Sequence, residues 1–447
     1  MAGDKGIKTV LTIAGSDSSG GAGIQMDLKA FAALGVHGCT VVTAVTAQNT
    51  ATVKHVSPMS AKLVKEQLDT IYDDFKIAAV KTGMLYDSSI VEVVAAKLAE
   101  EGTKLIVDPV LTASAGPTLS SKDLVQALKD RLLPKCYLAT PNIPEAAELT
   151  DEPIRGEDGM RRACQDLYQL GCENVLVKGG HLAKGPIKDV FFNGAFHIFE
   201  SPRLESKVHG TGCMLSAFIT AILAKGLPCV DAVELARRYT HDAMRFSTDL
   251  GHGALIGNPL TTLHNSAQRY HCSEEVRQWT GVLEEVLPVS LVPETGINLA
   301  FALPFANSID EVCGLEGRLV KAGQKVRSVG APRFGSSRRV GSIVLAAMDQ
   351  DRRYRCAMNL RYSKPLVDLC RTLGLKVGTF DRRKEPRDFT GPHWGVTQAI
   401  HVLGFVPDII YDEGDHGQEA MMRILGEHPA QVVEKVKSIV KELNETR

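Results

Sequence analysis

The sequence has no Cys-x-x-Cys pair, although ten cysteines are scattered along it. That spacing argues against a zinc ribbon or a thioredoxin-type redox centre, and for reduced thiols rather than a disulfide framework. No apolar run reaches the roughly 18 residues of a spanning helix, and no apolar signal core opens the chain; no membrane partner and a cytoplasmic location are therefore expected. Excess charge is missing as well: 51 basic residues against 52 acidic ones leave a net charge of -1. Such a balance gives no support for nucleic acid or an anionic membrane surface as the main partner. Internal repeats and low-complexity tracts are absent. What is present is a 447-residue chain, 44% hydrophobic, with 40 glycines, long enough for about two or three domains.

Through about residue 260, short β-branched runs alternate with helical patterns, which predicts a parallel sheet covered by helices. Strands are expected at 8–14, 40–44, 78–82, 104–107, 137–139, 174–177 and 190–192. Helices are expected at 24–34, 61–72, 89–100, 121–132, 160–170, 214–224 and 229–247. A polar, patternless stretch over 264–277 marks a boundary: one domain over 1–265, a linker over 266–281 and a second, smaller α/β domain over 282–447. In the latter, helices are expected at 308–321, 340–348, 365–373, 394–403 and 430–443, and strands at 325–329, 357–362, 376–380 and 408–411.

Three glycine-rich elements follow strands in the first domain: Gly15-Ser16-Asp17-Ser18-Ser19-Gly20-Gly21-Ala22-Gly23, Lys178-Gly179-Gly180-His181, and His209-Gly210-Thr211-Gly212-Cys213. Loops at the carboxyl ends of parallel strands are where α/β proteins bind ligands. The first loop is not a Walker phosphate loop, because its Gly-Lys-Ser/Thr ending is missing. The third runs straight into a helix, so the amides of Gly210, Thr211, Gly212 and Cys213 can hold an anion at the positive end of the helix dipole. At that position the Cys213 thiol is expected below its reference pKa of about 8.5, ready to take a proton from an attacking hydroxyl. A merely buried cysteine at a glycine-bounded helix start is the plainer reading of this motif alone. Asp108 and Glu145, at strand ends, can hold Mg²⁺ directly or through water, although a glutamate after Pro144 also suits an ordinary helix start. The Gln48 amide can pair two ways with a heteroaromatic ring, though most isolated loop glutamines are merely exposed.

The segments 14–25, 47–50 (Ala-Gln-Asn-Thr), 81–84 (Lys-Thr-Gly-Met), 107–110 (Val-Asp-Pro-Val), 140–146, 177–181 and 209–213 together resemble hydroxymethylpyrimidine/phosphomethylpyrimidine kinase of thiamine biosynthesis, over about residues 7–265. The resemblance implies a ribokinase-like αβα fold with a mainly parallel sheet. It also implies two successive ATP-dependent phosphorylations, of the pyrimidine alcohol and then of its monophosphate. By the same resemblance Cys213 is the base, Gln48 holds the aminopyrimidine with Gly15 and Met84 lining its pocket, and the amides of 210–213 form an anion hole. Asn142 and Lys178 serve ATP, and Glu145 and Asp108 serve Mg²⁺. The chain departs from the family at 112–116 (Thr-Ala-Ser-Ala-Gly), where a lysine is usual.

In the second domain, arginines interleaved with glycines suit diphosphate, since the guanidinium fork matches two phosphate oxygens; a solvated basic face is the alternative. Segments 317–321 (Gly-Arg-Leu-Val-Lys), 334–337 (Phe-Gly-Ser-Ser), 358–363 (Met-Asn-Leu-Arg-Tyr-Ser) and 411–415 (Tyr-Asp-Glu-Gly-Asp) resemble the thiamine-phosphate synthase domain fused behind this kinase, mainly in archaea. The resemblance implies coupling of the pyrimidine diphosphate with thiazole phosphate, with Arg318 at the diphosphate. Arg339 stands where the family has a histidine; it can neutralise charge but cannot shuttle protons at neutral pH. His393 is the other histidine to consider, although a lone histidine is usually structural. The partners expected are small-molecule substrates, in a homo-oligomer. Two alternatives stay open: a non-catalytic second domain that binds thiamine phosphates, and a kinase acting on pyridoxal or pyridoxine.

Overall fold

Strand β1 (Thr9–Asp17) is buried along nearly its whole length, as a β-branched, apolar strand covered on both faces must be. Leu11 and Ile13 pack against one layer of helices and Val10 against the other. The computed structural model describes residues 6–111, 122–182, 185–386, 389 and 393–445, so the departure at 112–116 lies outside the described residues. The chain divides into two compact units, Met1–Leu263 and His264–Arg447.

The first unit adds β2 (His37–Gln48), β3 (Val53–Pro58), β4 (Ile77–Thr82), β5 (Lys104–Val107), β6 (Leu138–Ala139), β7 (Val175–Val177), β8 (Ile187–Phe192) and β9 (Phe196–Ser201). Their order is β3-β2-β1-β4-β5-β6-β7-β8-β9. Pairing is parallel from β2 through β7, and β3, β8 and β9 join antiparallel. Helices α1 (Gly23–Ala33), α2 (Ala61–Asp74), α3 (Ser88–Glu101), α4 (Lys122–Ala127), α5 (Ile143–Thr150), α6 (Gly156–Gln169), α7 (Thr211–Ala224) and α8 (Cys229–Arg245) cover it. The cores separate cleanly: α1, α7 and α8 bury their apolar residues on one face and α2 to α6 on the other. This is the αβα layering expected, with strand order turning back at β1, so that the loops after β1, β2, β4, β5, β6 and β7 gather at one end of the sheet. A short parallel pair, β10 (Val208–His209) with β11 (Leu255–Ile256), leads into α7.

Besides the two-residue β10 and β11, both edge strands of the first unit's main sheet escaped the pattern reading. β3 is largely exposed; its Lys54, His55 and Pro58 are what an edge strand carries, not what a buried one does. β9 is only partly buried at the opposite edge.

Helix α9 (Thr261–Val286) is 26 residues long, and all but its first three residues fall in the second unit. The stretch 266–281 is therefore helix, not linker. Its apolar signal is sparse but correctly spaced, since Cys272, Val276 and Leu283 reach the core along one face, while the many polar residues cover the rest. The unit continues with β12 (Leu299–Ala302), β13 (Val312–Leu315), β14 (Arg318–Ala322), β15 (Lys325–Val329), β16 (Pro332–Phe334), β17 (Cys356–Arg361), β18 (Val377–Thr379), β19 (Ile409–Asp412) and β20 (Met421–Gly426), and with helices α10 (Arg338–Gln350), α11 (Lys364–Thr372), α12 (Trp394–Leu403) and α13 (Pro429–Glu445). Its main sheet runs β16-β13-β12-β17-β20-β19-β18, and only β18 and β19 pair in parallel. The helix expected at 308–321 is a correction: after one 3₁₀ turn that segment forms β13 and half of the β14–β15 hairpin. Val312–Leu315 is buried at every position, so the segment satisfies a central strand, and its apolar spacing alone does not tell strand from helix.

Candidate active sites

The loops at the carboxyl ends of the strands bring the predicted residues of the first unit together. Gly15 lies near the end of β1, Gln48 ends β2, Met84 follows β4, Asp108 follows β5, Asn142 follows β6 and Lys178 follows β7. Gly210 caps α7 at φ 78°, in the left-handed region that favours glycine. A Cβ there would sit 1.9 Å from the Gly21 carbonyl oxygen, so the first and third glycine loops meet backbone to backbone. At Gly212 a Cβ would lie 3.3 Å from the Lys178 ammonium, which sets that cation at the mouth of α7.

Two cavities open here. The smaller, about 70 Å³, is lined by Gly15, Gln48, Met84, His209 and Cys213 among others. The larger, about 740 Å³, is lined by Asp108, Asn142, Glu145, Lys178, Gly210, Thr211, Gly212 and Cys213 among others. Cys213 lines both.

Cys213 is half-buried, whereas the other nine cysteines are buried. Its thiol corrects the expectation from the helix mouth: burial pushes it up to about 11, and the nearby Lys81 ammonium only partly opposes this. The helix end favours the thiolate, but withdrawal from water costs it more.

Around the larger cavity, Asp108 accepts hydrogen bonds from Lys178 Nζ (2.8 Å), Thr140 Oγ1 (3.1 Å) and Ser216 Oγ (3.1 Å). Burial works against its charge, but the Lys178 and Lys81 ammoniums outweigh it and hold the carboxyl below its ordinary value. Glu145 closes a capping box with Asn142: Asn142 N donates to Glu145 Oε2 (2.8 Å) and Glu145 N to Asn142 Oδ1 (2.9 Å). Glu145 therefore starts α5 and also faces the cavity. Burial, reinforced by the Asp108 carboxylate, raises Glu145 to about 7. Two buried carboxylates in one wall suit a divalent cation, held directly or through water.

Several contributors were not singled out from the sequence. His209 Nε2 lies 2.9 Å from Gln48 Nε2 and 3.2 Å from Asp17 Oδ2, so the ring sits between the ends of β1 and β2. Burial opposes the Asp17 charge, yet bonds from His209 and Ser19 keep its carboxyl below the ordinary range. Beneath the site, Lys81 Nζ donates to both oxygens of Asp27 at 2.8 Å, and both side chains are fully buried; Asp27 and neighbouring acidic groups hold Lys81 above the usual lysine value against the pull of burial. Asp189 accepts from Gly179 N (2.8 Å) and pairs with Arg237 (2.6 Å), fixing the loop that carries Lys178. Asp17 and His209 lie in glycine-rich loops that the sequence marks, and Lys81 has its own signal, a charge inside an otherwise apolar strand; Asp27, Asp189 and Arg237 have none.

In the second unit a cavity of about 1080 Å³ is lined by Arg318, Arg338, Arg339, Arg382, Arg423 and His393 among others. Arg318 extends from β14 and donates to the Thr295 carbonyl. Arg339 is the second residue of α10, where helix amides add to its charge. His393 caps α12: its Nδ1 accepts from Val396 N (3.3 Å), leaving the proton on Nε2. Burial, with the Arg423 and Arg382 charges, lowers it to about 4. It is thus a neutral hydrogen-bond donor committed to a helix cap, which does not suit a proton shuttle.

The αβα layering and the cleft at the carboxyl ends of the strands define an α/β kinase of ribokinase-like fold. The comparisons are more specific. Residues 17–258 match the phosphomethylpyrimidine kinase family and residues 275–438 match thiamine-phosphate synthase ThiN. The bifunctional thiamine biosynthesis protein ThiDN of Methanocaldococcus jannaschii is 32% identical over 97% of this chain and 99% of its own length. The bifunctional protein ThiED of Geobacter sulfurreducens is 47% identical over 55% of this chain, but the match spans only 51% of that relative. Bacillus subtilis pyridoxal kinase, solved as an ADP complex, is 33% identical with a TM-score of 0.54, covering 56% of this chain and 97% of its own. The chain belongs to the phosphomethylpyrimidine kinase family, in the bifunctional form that carries a thiamine-phosphate synthase domain behind the kinase. Among the described residues, no helix is long and apolar enough to cross a membrane.

Proposed function

We propose that the first unit uses ATP to phosphorylate 4-amino-5-hydroxymethyl-2-methylpyrimidine and then its monophosphate, and that the second unit joins the resulting diphosphate to thiazole phosphate, releasing pyrophosphate. The observation that carries the kinase half is Cys213 lining both cavities at once. A ring held by Gln48 in the small cavity presents its hydroxyl to the sulfur, while ATP lies along Asn142 and Lys178 in the larger one. As the hydroxyl oxygen bonds to the γ-phosphorus and the bridging oxygen leaves with ADP, Cys213 takes the hydroxyl proton. The amides of 210–213 and the Lys178 ammonium hold the charge on the transferring group. Asp108 and Glu145 fit a Mg²⁺ ion, which when bound neutralises phosphate charge.

For the second unit, the carrying feature is the arginine-lined cavity with Arg318 at the diphosphate. Arg339 there strengthens diphosphate binding and takes no part in proton transfer. Mass analysis of products tests the whole scheme, using the full chain with pyrimidine alcohol, thiazole phosphate, ATP and magnesium. Thiamine phosphate with ADP and pyrophosphate is the expected result. Accumulated diphosphate with no thiamine phosphate, but measurable binding of it, would instead make the second unit a regulatory module. Pyridoxal run in parallel should turn over more slowly than the pyrimidine; the reverse would overturn the substrate assignment. A cytoplasmic location and a homo-oligomeric state accompany this reading, and fractionation and light scattering test them.

A further inference from the structure

One element of the second unit is absorbed by none of these roles. Asp412, at the end of β19, is 1% exposed and accepts from Arg382 Nε (2.6 Å), Arg382 Nη2 (3.0 Å) and Gly414 N (2.9 Å). It also pairs with Arg423 Nη1 (2.7 Å). One carboxylate is thus shared by two guanidiniums, and the cluster keeps a net positive charge. Arg423 itself is 2% exposed, stacks over the Phe380 ring at 5.1 Å, and among the described residues has a buried Nε with no acceptor. An under-neutralised, under-satisfied cationic cluster is costly inside a protein. Here it forms a wall of the same cavity that holds Arg318, Arg338 and Arg339, and an anion entering that cavity would relieve the cost. Gln418 lies at the rim, its Oε1 accepting from Arg382 Nη1 at 2.5 Å.

The cavity therefore has two cationic groups of unequal strength. Among the described residues, Arg318, Arg338 and Arg339 have no carboxylate partner, and helix α10 begins between them. The Asp412 cluster carries less net charge and offers a pre-set guanidinium fork. We propose that Arg382 and Arg423, braced by Asp412, seat the phosphate monoester of the second unit's second substrate, leaving the stronger group at Arg318, Arg338 and Arg339 for the diphosphate. This rests on the synthase reading above, and it gives that reaction's two anionic substrates separate seats.

The test is calorimetric titration of the full-length protein with thiazole phosphate and, separately, with the pyrimidine diphosphate. Arg382→Gln removes the fork, and its thiazole-phosphate affinity should fall about 10-fold or more, while diphosphate affinity stays within about twofold. Arg382→Lys, which keeps the charge but not the fork, should fall between. Gln418→Glu is an exposed substitution that leaves both arginines in place, so it serves if Arg382→Gln does not fold. Its new carboxylate should compete for Arg382 and weaken thiazole phosphate selectively. Unchanged thiazole-phosphate binding in a folded Arg382→Gln protein, or equal weakening of both ligands, overturns the assignment while leaving the synthase intact. A wild-type chain that binds neither ligand and makes no thiamine phosphate removes the synthase reading, and this seat with it.

Discussion

If Cys213 is the base, the kinase half should respond steeply to pH. With the thiol pushed up to about 11 against about 8.5 for an ordinary cysteine, the thiolate is more than about 100-fold scarcer than in a free thiol at any pH below 8. The charged form is the one that accepts a proton, so reactivity must rise with pH. Between pH 7 and 10 the rate of Cys213 alkylation by iodoacetamide should climb about tenfold per unit and level off only near 11. The label is selective, because the other nine cysteines are buried; peptide mapping by mass spectrometry reads it out. The free-enzyme ionisation should appear in kcat/KM for the pyrimidine alcohol with the same upward slope. Cys213→Ala should lower kcat by about 10²–10⁴-fold with the fold retained, the range a positioned general base contributes. A flat pH profile for both alkylation and kcat/KM, or near-normal turnover in Cys213→Ala, would refute the assignment.

Three further outcomes follow from the same geometry. Gln48→Ala should raise the KM for the pyrimidine with little change in kcat, since it removes an orienting amide and leaves the sulfur alone; an unchanged KM ends that role. Lys81→Met strands the fully buried Asp27 carboxylate, and chemical denaturation should show about 3–5 kcal/mol lost. Glu145, raised to about 7 from 4.5, favours the protonated folded state, so its contribution to stability is complete below pH 4.5 and is lost as pH rises through 7. Thermal unfolding without magnesium should show that loss, Glu145→Gln should abolish it, and Mg-ATP should stabilise most above pH 7.

The layering of the first unit was legible because its central strands are buried on both faces, while helices such as α2, α6 and α8 bury one face and α7 is apolar almost throughout, so composition and period agree. The ends of these elements carry the site, and the glycine loops announced it by the freedom they require: Gly210 sits at φ 78° with no room for a side chain. The second unit was harder. Val312–Leu315 and α9 gave weak or misleading periods, since a strand buried at every position has no alternation to read and a mostly polar helix shows its face only at Cys272, Val276 and Leu283.

From residues alone came the kinds of chemistry present: amides at a helix start, a thiol beside them, carboxylates and a lysine after strands, and arginines dotted among glycines. Folding decided which of these meet and in what electrical state. Nothing local to His209-Gly210-Thr211-Gly212-Cys213 reveals that the sulfur faces two cavities or that burial overcomes the helix dipole. Likewise, nothing near Asp412 shows that Arg382 and Arg423, from separate segments, share its charge. Both depend on groups distant in sequence being withdrawn from water together, and the cost of that withdrawal exists only once the chain has closed around them.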